Sequence, residues 1–178
     1  MYDIIGDIHG HYDKLEALLL KLDYTPKGQG WLPPDGRKAV FLGDLIDRGP
    51  GQIRILETVR AMVDSGSALC IMGNHELNAI AYATPDQNNP GAFIRKHSEK
   101  NRLQHAEFLR QIGEGSQAHQ EWVNWFRSLP LSLDLGGIRV VHACWNEGHI
   151  ETLANYGLTK GYLDDEQINW AFDKRGGH

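Results

Sequence analysis

Ala39-Val40-Phe41-Leu42-Gly43-Asp44-Leu45-Ile46-Asp47-Arg48-Gly49-Pro50 is the stretch that decides the fold. Four apolar residues end in a glycine, charged residues crowd the turn that follows, and a helix-like stretch comes next. The same grammar stands upstream, where Asp3-Ile4-Ile5 runs into Gly6-Asp7-Ile8-His9-Gly10. It recurs downstream, where Ala68-Leu69-Cys70-Ile71-Met72 runs into Gly73-Asn74-His75-Glu76. Short continuous apolar runs suit strands buried on both faces. Between them, Leu15, Leu18, Leu19 and Leu22 share one helical face, and Leu56, Val59 and Val63 another, with Gly66 placed to end that helix. Thirty-seven residues separate Asp7 from Asp44, and thirty separate Asp44 from Asn74. Either interval accommodates a strand, a crossover helix and a return strand. The pattern predicts an α/β fold with a mostly parallel central sheet flanked by helices.

The rest of the chain is read from the same signals. Thr25 to Lys38, with Gly28, Gly30, Pro33, Pro34 and Gly36, reads as a surface loop. Residues 84–128 form a helical insert, with helices expected over His97–Ile112 and Ser116–Arg127. Trp122, Trp125 and Phe126 stand at helical spacing and are expected in the core. Arg95, Lys96, Lys100 and Arg102 are expected on a solvated face. Leu131–Leu135 and Ile138–Val141 flank Gly136-Gly137, the mark of a tight hairpin whose second strand runs into His142. Leu163 to Asp173 is weakly helical. Residues 1–178 are expected to form a single domain.

Composition narrows the function classes. Of the 178 residues, 41% are hydrophobic and 23% charged, enough for a packed core and against wholesale disorder. Eighteen Lys and Arg against 23 Asp and Glu leave a formal charge of −5, so no global basic surface calls for long nucleic acid. No apolar run approaches the roughly 20 residues that cross a bilayer. The first residues carry neither a charged leader nor an apolar core of a signal peptide. Cys70 and Cys144 form no CxxC pair and are expected to be reduced and mostly buried. A cytoplasmic protein with no membrane partner is the expectation.

Polar residues just after parallel strands converge at the carboxyl edge of the sheet, where open α/β folds place their sites. Asp7, His9, Asp44, Asp47, Arg48, Asn74 and His75 should therefore meet, and His142 can join them. Singly, each has an ordinary reading: Asp7 or Asp44 as a helix cap, Asn74 as a turn residue, Arg48 as an ion-pair partner, His142 as a core histidine. Jointly they are metal-ligand chemistry. Carboxylate and amide oxygens mixed with imidazole suit manganese, iron, zinc or nickel. The two oxygens of Asp44 can bridge a pair of ions about 3.5–4 Å apart.

The blocks GDIHG (6–10), GDLIDRGP (43–50) and GNHE (73–76) resemble the signatures of the calcineurin-like metallophosphoesterase superfamily, at the branch of serine/threonine phosphoprotein phosphatases and diadenosine tetraphosphate hydrolases. The resemblance implies a metallophosphatase-type βαβαβ sandwich. It implies two divalent metal ions, manganese foremost, one held by Asp7, His9 and Asp44, the other by Asp44, Asn74 and His142. Arg48 would grip phosphate oxygens, His75 would protonate the leaving group, and Asp47 would orient His75. A metal-bridging hydroxide would attack in line. The implied activity is phosphoester hydrolysis, serine/threonine protein phosphatase-like. Hydrolysis of dinucleoside polyphosphates, or a non-catalytic metal- and phosphate-binding remnant, are the alternatives. The expected partner is a phosphorylated substrate, phosphoprotein or nucleotide.

This chain departs from that pattern. Met72 precedes GNHE where the phosphoprotein phosphatases carry Arg. His142 is followed by Ala143-Cys144-Trp145 rather than Gly-Gly, closer to the dinucleoside polyphosphate hydrolases, which themselves carry Asp where Glu76 stands. No convincing copy of the family's later Gly-His ligand block is found: Gly148-His149 lies too near His142, and Gly177-His178 is followed by no strand. A C-terminally truncated phosphoesterase with an incomplete second sheet is the expectation. The apolar surface so exposed should make a homo-oligomer. A strictly monomeric mass by light scattering at high concentration counts against that.

Overall fold

A computed structural model describes residues 1–158 and 162–172. Strand β1 (Tyr2–Ile5) leads into helix α1 (Tyr12–Lys21), the short strands β2 (Thr25–Lys27) and β3 (Gly30–Leu32), and strand β4 (Lys38–Phe41). Helix α2 (Gln52–Asp64) returns the chain to β5 (Ala68–Cys70), and α3 (Asn74–Ala83) follows. Helices α4 (Glu99–Ile112) and α5 (Gln117–Arg127) precede the hairpin β6 (Ser132–Asp134) and β7 (Arg139–Val141). Helices α6 (Glu147–Asn155) and α7 (Asp165–Phe172) come last.

The central sheet has the order β1-β4-β5, all parallel. Its register sets Ile5 beside Phe41 and Phe41 beside Cys70. The three strands therefore end level, and the loops that carry the polar blocks leave one common edge. Alternation divides the sheet's side chains between two layers. Ala39 and Phe41 join the core formed with α1, α2, α3 and the insert helices. Val40 and Ile71 turn the other way, onto Val140 of the hairpin. Phe41, Val40, Leu56 and Val59 are fully buried. Burying each such side chain contributes roughly 1.5–3 kcal/mol. The fold is the expected α/β sandwich, a parallel sheet with helices on one side and a second, two-stranded sheet near the other.

Several expectations need correction. Thr25–Lys38 is not all loop: β2 and β3 pair antiparallel around Gly28 (φ +59°), and Trp31 is buried. Proline and glycine in that segment masked the pairing. Cys70 is buried, but Cys144 is exposed. The first insert helix begins at Glu99, where the Ser98 hydroxyl accepts from Asn101 N–H (3.3 Å). Helix α6 was invisible to an apolar-stripe reading because none of its residues is buried; Asn146 caps it by accepting from His149 N–H (3.0 Å). Gly148-His149 lies in this exposed helix. Asp173 and Gly177-His178 lie outside the described residues. Among those described, no helix is long and apolar enough to cross a membrane.

The start of β1 is tied to the approach to β4 by one carboxylate. Asp3 accepts from Arg37 Nε and from the Tyr24 hydroxyl, both at 2.9 Å. The Arg37 guanidinium holds the Asp3 carboxyl below the usual carboxylate range, aided by Tyr24 and opposed by burial. A depressed carboxylate contributes stability at neutral pH that fades as acid protonates it. Asp3→Asn should therefore unfold at lower urea than wild type near pH 7. The gap should close as pH falls below about 3.9, the ordinary carboxylate value, and through the native one. A constant gap from pH 7 to pH 2 would show that the charge carries none of it.

Candidate metal centre

Each loop at the sheet edge alternates anchoring and reactive residues. Ile8 is buried between Asp7 and His9, and Leu45 and Ile46 are buried between Asp44 and Asp47. The apolar side chains fix the loops to the core while the polar ones face the edge. Loops one and two then lock backbone to backbone: His9 N–H donates to Asp44 O (2.9 Å), Gly10 N–H to Leu45 O (2.8 Å), and Gly49 N–H to His9 O (2.8 Å). The approach demands glycine at two places. A Cβ on Gly49 would stand 2.5 Å from Gly10 C, and one on Gly43 (φ +84°) 2.2 Å from Gly73 N.

Loops two and three are joined by Glu76, which is fully buried. Its carboxylate accepts from Asp44 N–H (2.8 Å), Leu45 N–H (2.9 Å) and Gly73 N–H (2.9 Å). Burial pushes this carboxyl up from its ordinary value, with the Asp44 charge adding and the three N–H bonds opposing. Gln52, also fully buried, holds the second loop from α2: its Oε1 accepts from Asp47 N–H and its Nε2 donates to Gly49 O. The backbone so held is strained. His9, Asp44, Asp47 and Arg48 all have positive φ, from 45° to 70°, a region non-glycine residues seldom enter. Such strain persists only where the surroundings over-determine it, and it clusters at functional sites.

Asp44 is the hub. Its Oδ2 faces His9 Nε2 (3.6 Å) and His75 Nε2 (3.9 Å). Its Oδ1 faces His142 Nε2 (3.5 Å) and accepts from His75 N–H (3.0 Å). Asp7 Oδ2 lies 3.7 Å from His9 Nε2. The donor atoms fall into two sets, His9-Asp44-His75 and Asp7-Asp44-His142, each within 4.8 Å. The structure brings together all five residues read as ligands. His9 Nε2 lies near both Asp7 and Asp44, and His142 Nε2 near Asp44 and 2.9 Å from Asn74 Oδ1; His75 stands beside His9, and Asp7 is also within reach of His142.

Two imidazoles test whether cations fit here. His9 Nδ1 lies 2.9 Å from Ile46 O, and His142 Nδ1 lies 2.7 Å from Leu42 O. A carbonyl only accepts, so both Nδ1 atoms carry the proton, which leaves Nε2 as the nitrogen with a lone pair in the neutral ring. The buried His9 Nε2 has no hydrogen-bond partner among the described residues and faces two carboxylates. His142 Nε2 faces the Asn74 amide oxygen. Carboxylates, an amide oxygen and neutral-ring lone pairs converging in this way are an arrangement that divalent cations relieve, and backbone carbonyls behind the imidazoles are what ligating histidines use. Asp7, His9, Asp44, Asn74 and His142 could hold metal, with His75 beside them.

Beside this cluster, His75 Nδ1 lies 2.6 Å from Asp47 Oδ2. That bond raises the His75 pKa above its ordinary value, against burial. Burial pushes Asp47 up, but hydrogen bonds with His105 and His75 outweigh it and hold the carboxyl below its ordinary range. Arg48 makes no ion pair among the described residues. It lines a cleft of about 310 Å³ with Asp7, His9, His11 and Lys14, and another of about 410 Å³ with His75, Leu103, Gln104 and Glu107. Sequence reasoning missed Glu76, Gln52 and His105 as parts of the site. His105 did carry a signal, since it shares the buried helical face of Phe108, Leu109 and Ile112.

Known proteins resemble this chain. A family model described as calcineurin-like phosphoesterase matches residues 2–175. The chain is 32% identical to an asymmetrical bis(5'-nucleosyl)-tetraphosphatase of Oceanobacillus iheyensis, over 79% of this chain and 54% of that one. It is 36% identical to a symmetrical bis(5'-nucleosyl)-tetraphosphatase of Shigella dysenteriae serotype 1, over 72% of this chain and 36% of that one. The match thus spans about half of one relative and about a third of the other. A cold-active protein tyrosine phosphatase shares the fold, with a TM-score of 0.54 at 18% identity over 96% of this chain and 46% of that one.

Removing the Glu76 carboxylate should show how the loops are held. Glu76→Ala leaves three buried N–H groups unmet at roughly 1–3 kcal/mol each, so urea denaturation should show a loss of about 3 kcal/mol or more. A loss below about 1 kcal/mol would mean that the loops are held otherwise.

Proposed function

The chain belongs to the calcineurin-like phosphoesterase family, and on that premise we propose that it is a metal-dependent phosphoester hydrolase acting on dinucleoside polyphosphates. One observation carries this reading: the Asp44 carboxylate turns one oxygen to His9 Nε2 and the other to His142 Nε2, and each ring's Nδ1 is held by a backbone carbonyl. Two divalent ions sharing Asp44 would be held by Asp7, His9, Asn74 and His142. The mixed oxygen and imidazole donors suit manganese, with iron, zinc or nickel also accommodated. Such ions supply Lewis acidity toward phosphoryl oxygens and a water acidic enough to ionise near neutral pH.

The chain's own residues do the rest. Arg48, without an ion pair among the described residues and lining both clefts, offers its planar fork to phosphate oxygens. His75 holds a proton at Nε2 for the departing oxygen, and Asp47 at Nδ1 keeps the ring turned and favours its charged form. Residues 1–178 work as one unit in this reading. The insert 84–128 shapes the substrate side, since Leu103, Gln104 and Glu107 of α4 border the cleft at His75. The printed names of the relatives support dinucleoside polyphosphates over phosphoproteins.

Phosphate release tests the proposal. With manganese, wild type should hydrolyse p-nitrophenyl phosphate and bis(5'-adenosyl) tetraphosphate, and a phosphoserine peptide less well. Chelation should abolish turnover, as should Asp44→Asn. His75→Asn should lower kcat by about 10²–10⁴, the worth of a positioned general acid. No turnover with manganese, iron, zinc or nickel refutes the enzyme reading. Calorimetric binding of manganese and phosphate without turnover would make the chain a binding module instead.

A further inference from the structure

Asp47 does not serve His75 alone. Its Oδ1 lies 2.7 Å from His105 Nδ1, while Oδ2 lies 2.6 Å from His75 Nδ1. The three side chains form a continuous chain, His75–Asp47–His105, that begins at the metal cluster and ends inside the protein. We propose that His105 is a positioning residue for the proton donor His75, acting through Asp47. The proposal rests on the reading of His75 as the group that protonates the leaving oxygen.

A carboxylate bonded through one oxygen only is free to turn about its Cβ–Cγ bond, and an imidazole hanging on it would turn too. A second hydrogen bond on the other oxygen removes that freedom. His105 is suited to supply it. Its side chain and that of Asp47 are each only 4% exposed, so water is a poor substitute. Its ring is wedged against Phe108 (centroids 4.8 Å) and Tyr82 (5.5 Å), which fixes the direction of Nδ1. Asp47 accepts, so His105 Nδ1 donates.

The other nitrogen, His105 Nε2, is buried and has no partner among the described residues. A leucine would fill that place without this cost, so what the histidine adds is its Nδ1 bond to Asp47. The backbone agrees. Asp47 is held at φ +69° with its N–H on Gln52 Oε1 (2.9 Å), so its position is fixed from three directions: α2 through Gln52, α3 through His75 and α4 through His105. The insert helix thus reaches 58 residues back along the chain to hold the proton donor's support. Aligning a group before reaction is worth more than the bond that aligns it.

Leaving-group dependence separates alignment from general damage. Phenyl phosphate needs a proton on its departing oxygen far more than p-nitrophenyl phosphate does. In the manganese-loaded full chain, His105→Leu should lower kcat on phenyl phosphate at least about tenfold more than on p-nitrophenyl phosphate, part of the roughly 10²–10⁴ that general acid catalysis supplies. KM should move little. His105→Asn, whose amide nitrogen reaches the place of Nδ1, should recover most of that difference. Equal losses on both substrates, or equal behaviour of the Asn and Leu variants, overturn the proposal. If His105→Leu does not fold, His105→Gln, whose amide is set too far out to reproduce Nδ1, takes its place. Should wild type hydrolyse neither ester, the hydrolase reading fails by itself, and proton NMR of the metal-free chain judges His105 separately. The downfield His75 Nδ1–H resonance should persist in His105→Asn and weaken or shift in the Leu or Gln variant. An unchanged resonance in all of them overturns the proposal.

Discussion

A carboxylate held by backbone N–H groups stands at the centre of this protein. Glu76 is fully buried, and its two oxygens collect three backbone N–H groups from the second and third loops. Taken from water, that group would be costly; bonded three times, it fastens the second and third loops together beyond the ladder of their strands. It also sets Asp44, whose own N–H it receives. Whatever Asp44 faces, on either of its two oxygens, depends on that bond being made.

From this fastening the other properties follow in order. The level ends of β1, β4 and β5 bring three loops to one edge. Glycines let the loop backbones touch, apolar residues pin them to the core, and Gln52 and Glu76 take up the N–H groups that the crowding would orphan. Four non-glycine residues can then stay at positive φ. The strain has a use: it turns carboxylates and imidazoles inward, with lone pairs converging where cations would sit. Electrostatic repulsion among those groups is what the surrounding hydrogen bonds withstand. The donors beside them are held with equal care, because His75 is steered by Asp47 and Asp47 is gripped by helices from three parts of the chain.

Much of this could be read before the fold was seen. The repeated succession of apolar run, glycine and acidic or amide residue named the parallel strands and the edge where Asp7, His9, Asp44, Asn74 and His75 gather. The tight turn at Gly136-Gly137 pointed to the hairpin that delivers His142. Local signals failed where periodicity was weak or broken. Strands β2 and β3 hid behind Pro26, Gly28 and Gly30, and α6 buries nothing, so it leaves no apolar stripe. Glu76 was legible as the last letter of a block, not as the carboxylate that closes it.

The sequence by itself determined the strand and helix alternation and the residue types supplied to the edge, because backbone periodicity and turn chemistry are local. Tertiary structure alone decided which side chain faces which oxygen of Asp44, that His75 stands beside His9, and that His105 lies against Asp47. Those pairings join residues far apart along the chain. They follow from packing distances and from the need of every buried donor and acceptor to find a partner, neither of which spacing in a linear chain can express.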